Sequence, residues 1–162
     1  MNHKNQRVKS SQLIGNVLLC TKIQQFNFAS NVIKIRMKKI IQIPGAPAPI
    51  GPYSQAILSK DTLYVSGQIP LNPMNGELVI DSIENATHRV LSNIKSLVEE
   101  AGLTMNHIVK CSIFLKNMDD FSAVNGIYAT YFSENPPARE TVQVSKLPLD
   151  VPIEISCIAV AD

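Results

Sequence analysis

Two residues in this 162-residue chain stand out chemically from their neighbours. Glu154 lies inside Ile153-Glu154-Ile155-Ser156-Cys157-Ile158-Ala159-Val160, a run otherwise apolar or small. A carboxylate in a buried strand must find partners or raise its pKa. A structural ion pair or a sheet-edge charge is the alternative to a chemical role. Arg139 follows Asn135-Pro136-Pro137-Ala138, where two prolines restrict the backbone and deliver the guanidinium to a defined place. Its alternative is a surface ion pair with Glu134 or Glu140. Arginine offers a planar fork for a carboxylate, and glutamate can orient or activate water. Tyr53, in Gly51-Pro52-Tyr53-Ser54-Gln55, adds a hydroxyl or a ring wall. Together these suggest a site for a small anionic substrate.

Other chemistries find little support. No dinucleotide fingerprint, P-loop, H-E-x-x-H or G-x-S-x-G is present. His3, His88 and His107 stand far apart, which disfavours a histidine triad or a metal cluster. Cys20, Cys111 and Cys157 are odd in number and widely spaced, so the expectation is no disulfide framework, no metal and a reducing compartment such as the cytoplasm. The net charge of +2 hides an asymmetry: residues 1–60 contain no Asp or Glu, whereas residues 37–162 carry nine basic and thirteen acidic side chains. That acidic balance disfavours nucleic-acid binding, which needs a basic surface to neutralise phosphates. No apolar run approaches the ~20 residues of a membrane span.

Residues 1–36 have no turn or cap signals and precede a second potential start, Met37. They read as a disordered leader or upstream extension. A targeting peptide, which would move the protein to a mitochondrion or other organelle, is the alternative. The domain is therefore taken as 37–162. Within it, short strands are expected at 39–43, 55–58 and 62–69, the last two joined as a hairpin through Ser59-Lys60-Asp61. A helix over 81–101 is expected from Ile83, Ala86, Val90, Ile94, Leu97 and Ala101, with Asp81 and Glu84 as a capping box and Gly102 as the stop. A strand over 107–116 should turn Val109, Cys111, Ile113 and Leu115 to one face. A second helix over 119–132 should bury Phe121, Val124, Tyr128 and Tyr131 or Phe132, and strands at 141–145 and 153–160 close the chain. The order β-β-β-α-β-α-β-β is α+β, with two helices on one face of a mixed sheet. The opposite face is expected to be covered by other copies of the chain.

Ile50-Gly51-Pro52-Tyr53-Ser54-Gln55-Ala56, Ser66-Gly67-Gln68-Ile69-Pro70, Asn93-Ile94-Lys95, Asp120-Phe121, Val124-Asn125, Pro137-Ala138-Arg139 and Ile153-Glu154-Ile155 resemble the RidA (YjgF) family of imine deaminases, in family order. The resemblance implies a chorismate-mutase-like fold, a homotrimer with a central barrel and three clefts between subunits. It implies cofactor-free hydrolysis of 2-iminobutanoate and 2-iminopropanoate, or their enamines, to 2-oxo acids and ammonia, removing reactive intermediates of pyridoxal-phosphate enzymes. Arg139, Glu154 and Tyr53 take the catalytic places. Arg139, Ser66, Gly67, Asn125 and, by position, Thr141 take the substrate-binding ones. Many members have a small residue and then cysteine after the arginine, where this chain has Glu140 and Thr141. If Thr141 shares a face with Arg139, strand alternation sends Glu140 to the other. An RNA-acting protein and a small-acid-binding regulatory trimer are the competing functions.

Overall fold

The computed structural model describes residues 38–45 and 51–161, all within the compact unit Met37–Asp162. The leader 1–36 and Ile50 of the first motif lie outside the described residues. Six strands form one sheet: β1 (Lys39–Ile41), β2 (Ala56–Ser59), β3 (Thr62–Gln68), β4 (Ile108–Leu115), β5 (Ala138–Gln143) and β6 (Ile153–Val160). Their order is β1-β2-β3-β6-β4-β5, with β4 and β5 parallel and every other pair antiparallel. Two helices, α1 (Ile83–Glu100) and α2 (Phe121–Tyr131), connect β3 to β4 and β4 to β5. The expected α+β arrangement is therefore present.

The helix-facing side of the sheet is the core. Leu63, Cys111, Ile113, Leu115, Ile153, Ile155 and Ala159 are buried there with Ala86, Val90, Ile94 and Leu97 of α1 and Val124 and Tyr128 of α2. The other face is open in the single chain. An apolar row crosses four strands on it in register, Ile40–Ile57–Tyr64–Ile158, and both Ile40 and Tyr64 are about half exposed.

Several local expectations are corrected. Ser82, not Asp81, caps α1: its hydroxyl accepts from Asn85 N–H at 3.1 Å, while Asp81 accepts from the Asn85 side chain instead. Gly102 does end the helix, at φ 82. Val109 points away from the core although Cys111, Ile113 and Leu115 point in. Ile108 pairs with Ala159 and Lys110 with Ile158, so Val109 is the extra residue of a β-bulge and Ile108 takes the buried place. Phe121 is only partly covered, because the helix begins there after a 3-10 turn at Met118–Asp120. β5 starts at Ala138 rather than 141, which places Arg139 inside the strand.

Asn93 links core to loop. It is nearly buried on α1, and its amide donates to the carbonyls of Ile69 and Leu71 at 3.3 and 2.8 Å, fixing the chain as it leaves β3. Removing the amide leaves those acceptors without their donor. Asn93→Ala is expected to lower unfolding free energy by about 1–3 kcal/mol in urea titrations. Asn93→Asp, which sets a carboxylate against two carbonyl oxygens, should cost more than Asn93→Ala.

Candidate functional site

The sequence-derived site residues fall into two groups. Tyr53, Ser66, Gly67 and Glu154 line one cavity of about 460 Å³, together with Gly51, Ile69, Pro148 and Leu149. A bulge builds it. Val65 pairs with Cys157 and Gln68 with Ile155, so β3 carries one residue too many across Ser66-Gly67. The bend is held by Ser66, whose N–H donates to Gln55 O at 3.0 Å and whose hydroxyl donates to Ser54 O at 2.8 Å. That hydroxyl proton is thus spent on positioning the Tyr53-Ser54 loop, and its lone pairs remain for a ligand.

Glu154 folds directly over Gly67. A Cβ built on Gly67 would collide with Glu154 Oε1 and lie 2.6 Å from its Cδ. Only glycine leaves room for the carboxylate to pack on the strand backbone. Burial pushes the Glu154 carboxyl above the usual carboxylate range. Among the described residues, no cation pairs with it.

Arg139, Asn125 and Thr141 form the second group. Cys111 is the ladder partner of Arg139 and Ile113 that of Thr141, so both point to the helix side of the sheet. The Arg139 guanidinium lies over the rings of Tyr128, at 4.8 Å from the centroid, and Phe121, at 5.7 Å. Such cation–π contacts contribute about 0.5–2 kcal/mol and hold the planar group in one orientation. Asn125 shares the α2 face of Phe121 and Tyr128. Among the described residues, Asn125 Oδ1 and Thr141 Oγ1 are buried without a hydrogen-bond partner. Burial also raises the Cys111 thiol, partly countered by Tyr128 and Arg139.

The alternative for Arg139, an ion pair with Glu134 or Glu140, is not formed among the described residues. Glu140 lies on the opposite face, where Lys110 and the Ser112 hydroxyl bind it and lower its pKa. Its charge is neutralised away from Arg139, so strand alternation removes the conflict that adjacency in sequence suggested. Glu154 is also on that opposite face, paired with Phe114. Within one chain Arg139 and Glu154 therefore point to different sides of the sheet. Phe121 and Tyr128 were legible only as core positions seven apart on a helix, and Leu149 and Pro148 only as loop.

The Gly67 contact has a direct test. Gly67→Ala should displace the Glu154 side chain and cut any Glu154-dependent activity by about a hundredfold, in line with catalytic groups misplaced by about 1 Å. Far-UV circular dichroism should stay unchanged, since the displaced atoms end a flexible side chain.

Residues 44–161 match the family described as Endoribonuclease L-PSP. A RutC family protein of Pyrococcus horikoshii is 50% identical over 123 residues, covering 76% of this chain and 98% of that one. Among solved structures, the Rid family protein YyfA of Yersinia pestis is 48% identical, covers 77% of this chain and 100% of its own, and superposes with a TM-score of 0.74. Escherichia coli TdcF, solved with bound serine, is 37% identical with a TM-score of 0.73, covering 76% of this chain and 99% of that one. With nearly the whole described domain matched in sequence and fold, the chain belongs to the Endoribonuclease L-PSP family, which includes the Rid (YjgF) proteins.

Proposed function

We propose that the protein is a homotrimeric hydrolase of 2-imino acids, whose clefts join the Glu154 cavity of one protomer to Arg139 of the next. One observation supports this reading: among the described residues, a half-buried carboxylate lacks a cation and an oriented guanidinium lacks a carboxylate, on opposite faces of a single sheet. Association over the open face, with its apolar row, would cover that surface and let the two halves meet. A small-acid ligand in a relative, the serine in TdcF, supports the substrate class.

In this mechanism the Arg139 fork grips the substrate carboxylate, assisted by the Gly67 backbone. The Glu154 carboxylate orients a water and accepts its proton as oxygen adds to the imine carbon. That proton passes to nitrogen to give the amino alcohol; its hydroxyl proton then moves to the amino nitrogen, through Glu154, as the C–N bond breaks, so ammonia leaves and the 2-oxo acid forms. Tyr53 and Ser66 line the cleft, and Asn125 and Thr141 stand beside the guanidinium. Imines already hydrolyse in water, so holding the reactants supplies much of the required acceleration. An RNA-acting role, which the family description suggests, fits poorly with the acidic balance of the domain and with so small a cavity.

Two measurements test the reading. Arg139→Ala should reduce imine hydrolysis, read as loss of semicarbazone formation in a coupled threonine dehydratase assay, by about a hundredfold or more, as expected for truncating a charge that pairs with the substrate carboxylate inside a closed cleft. Glu154→Gln should do likewise. Co-expressing the two inactive variants should restore part of the activity, because some clefts in mixed trimers receive both intact halves; no restoration would contradict a shared cleft. The pH profile provides the second measurement. Glu154 acts as its carboxylate, and burial raises its pKa, so kcat/KM should fall on acidification at a pH above the usual carboxylate range. Glu154→Gln should abolish that limb.

A further inference from the structure

We infer that Leu149 selects the substrate side chain, favouring an aliphatic over a polar one; this rests on the imine-hydrolase reading of the same cavity. Leu149 carries two unfavourable features at one position. Its backbone is left-handed, at φ 52 and ψ 19, where an L-residue's Cβ crowds the carbonyl that follows. Asp150 continues in that region at φ 58. Leu149 is also 55% exposed although its side chain is wholly apolar. Strained positions persist where the surrounding structure over-determines them, and they cluster at ligand sites.

The surrounding restraints are evident. Asp150 N–H donates to Leu147 O at 3.1 Å and Val151 N–H to Pro148 O at 3.3 Å, closing the turn. Lys116 ties the loop to the end of β4 twice, through Nζ to Asp150 Oδ2 at 2.7 Å and through its N–H to Pro152 O at 2.9 Å. The loop so held puts Leu149 in the wall of the Glu154 cavity with Pro148 and Ile69. Those three side chains offer no donor or acceptor. With the carboxylate gripped by Arg139 and the imine carbon beside Glu154, this wall is the apolar part of a lining that also includes Tyr53 and Ser66, and the substrate side chain can rest against it. An aliphatic group gains by leaving water there, whereas a polar one loses its hydrogen bonds without replacement.

Two substitutions separate the backbone from the side chain. Asparagine tolerates the left-handed region and removes the apolar wall, whereas methionine keeps the wall. The trimer is assayed with imines generated in situ by an amino acid oxidase from norvaline and from glutamine. In Leu149→Asn the ratio of kcat/KM for the aliphatic over the polar imine should fall about tenfold, the scale set by one or two methylenes in an apolar pocket. Its melting temperature should rise by about 2–4 °C as strain is relieved. Leu149→Met should keep the ratio within about twofold of wild type. An unchanged ratio in Leu149→Asn, or its dissociation or earlier melting, would overturn the inference and mark Leu149 as a packing residue. In the first case the wild type remains active and the imine-hydrolase reading survives; a wild type that hydrolyses neither imine overturns both.

Discussion

Side chains along a strand alternate between the two faces of its sheet, and this keeps Arg139 and Glu154 apart within one chain. The guanidinium faces the helices, where Tyr128 and Phe121 hold it flat. The carboxylate faces the open side, folded over Gly67 in a mostly apolar cavity. Each charge is partly desolvated and, among the described residues, neither has its opposite, a costly arrangement for a protomer alone. Pairing within the sheet would relieve that cost and leave no charge for a ligand.

Two bulges tune this arrangement. The one at Ser66-Gly67 bends β3 and brings its backbone under Glu154, while Ser66 secures the Tyr53 loop to the same bend. The one at Val109 shifts β4 by a residue and returns Cys111, Ile113 and Leu115 to the core in step with Arg139 and Thr141. The same phase carries Glu140 to Lys110 and Ser112, so the acidic neighbour of Arg139 is neutralised on the far face. The loop at Leu149 adds an apolar wall to the Glu154 cavity, kept in a left-handed conformation by two turn hydrogen bonds and a lysine tether.

Much of the fold was legible because it depends on local chemistry. The α1 stripe of Ala86, Val90, Ile94 and Leu97 repeats at helical spacing, and Gly102 reaches φ 82 without steric cost. The hairpin at 59–62 was legible from its short polar link, although Lys60 and not a glycine takes the left-handed turn position. Less was legible where two signals competed. Asp81 and Ser82 are both good caps, and only backbone geometry chose Ser82. Val109 is as good a core residue as Ile108, and the bulge that exposes it depends on how β6 pairs.

The amino-acid sequence by itself determined the family, the order of strands and helices, and the identity of the residues with chemistry to offer, since these follow from residue types, periodicities and contiguous motifs. Tertiary structure alone decided that Tyr53, Ser66, Gly67 and Glu154 share one cavity, that Arg139 rests on aromatic rings from α2, and that Glu140 is turned away. Cys111 and Cys157, far apart in the chain, became cross-strand neighbours in the same way. The physical reason is that face and register are set by long-range pairing, and a single inserted residue reverses every side chain beyond it.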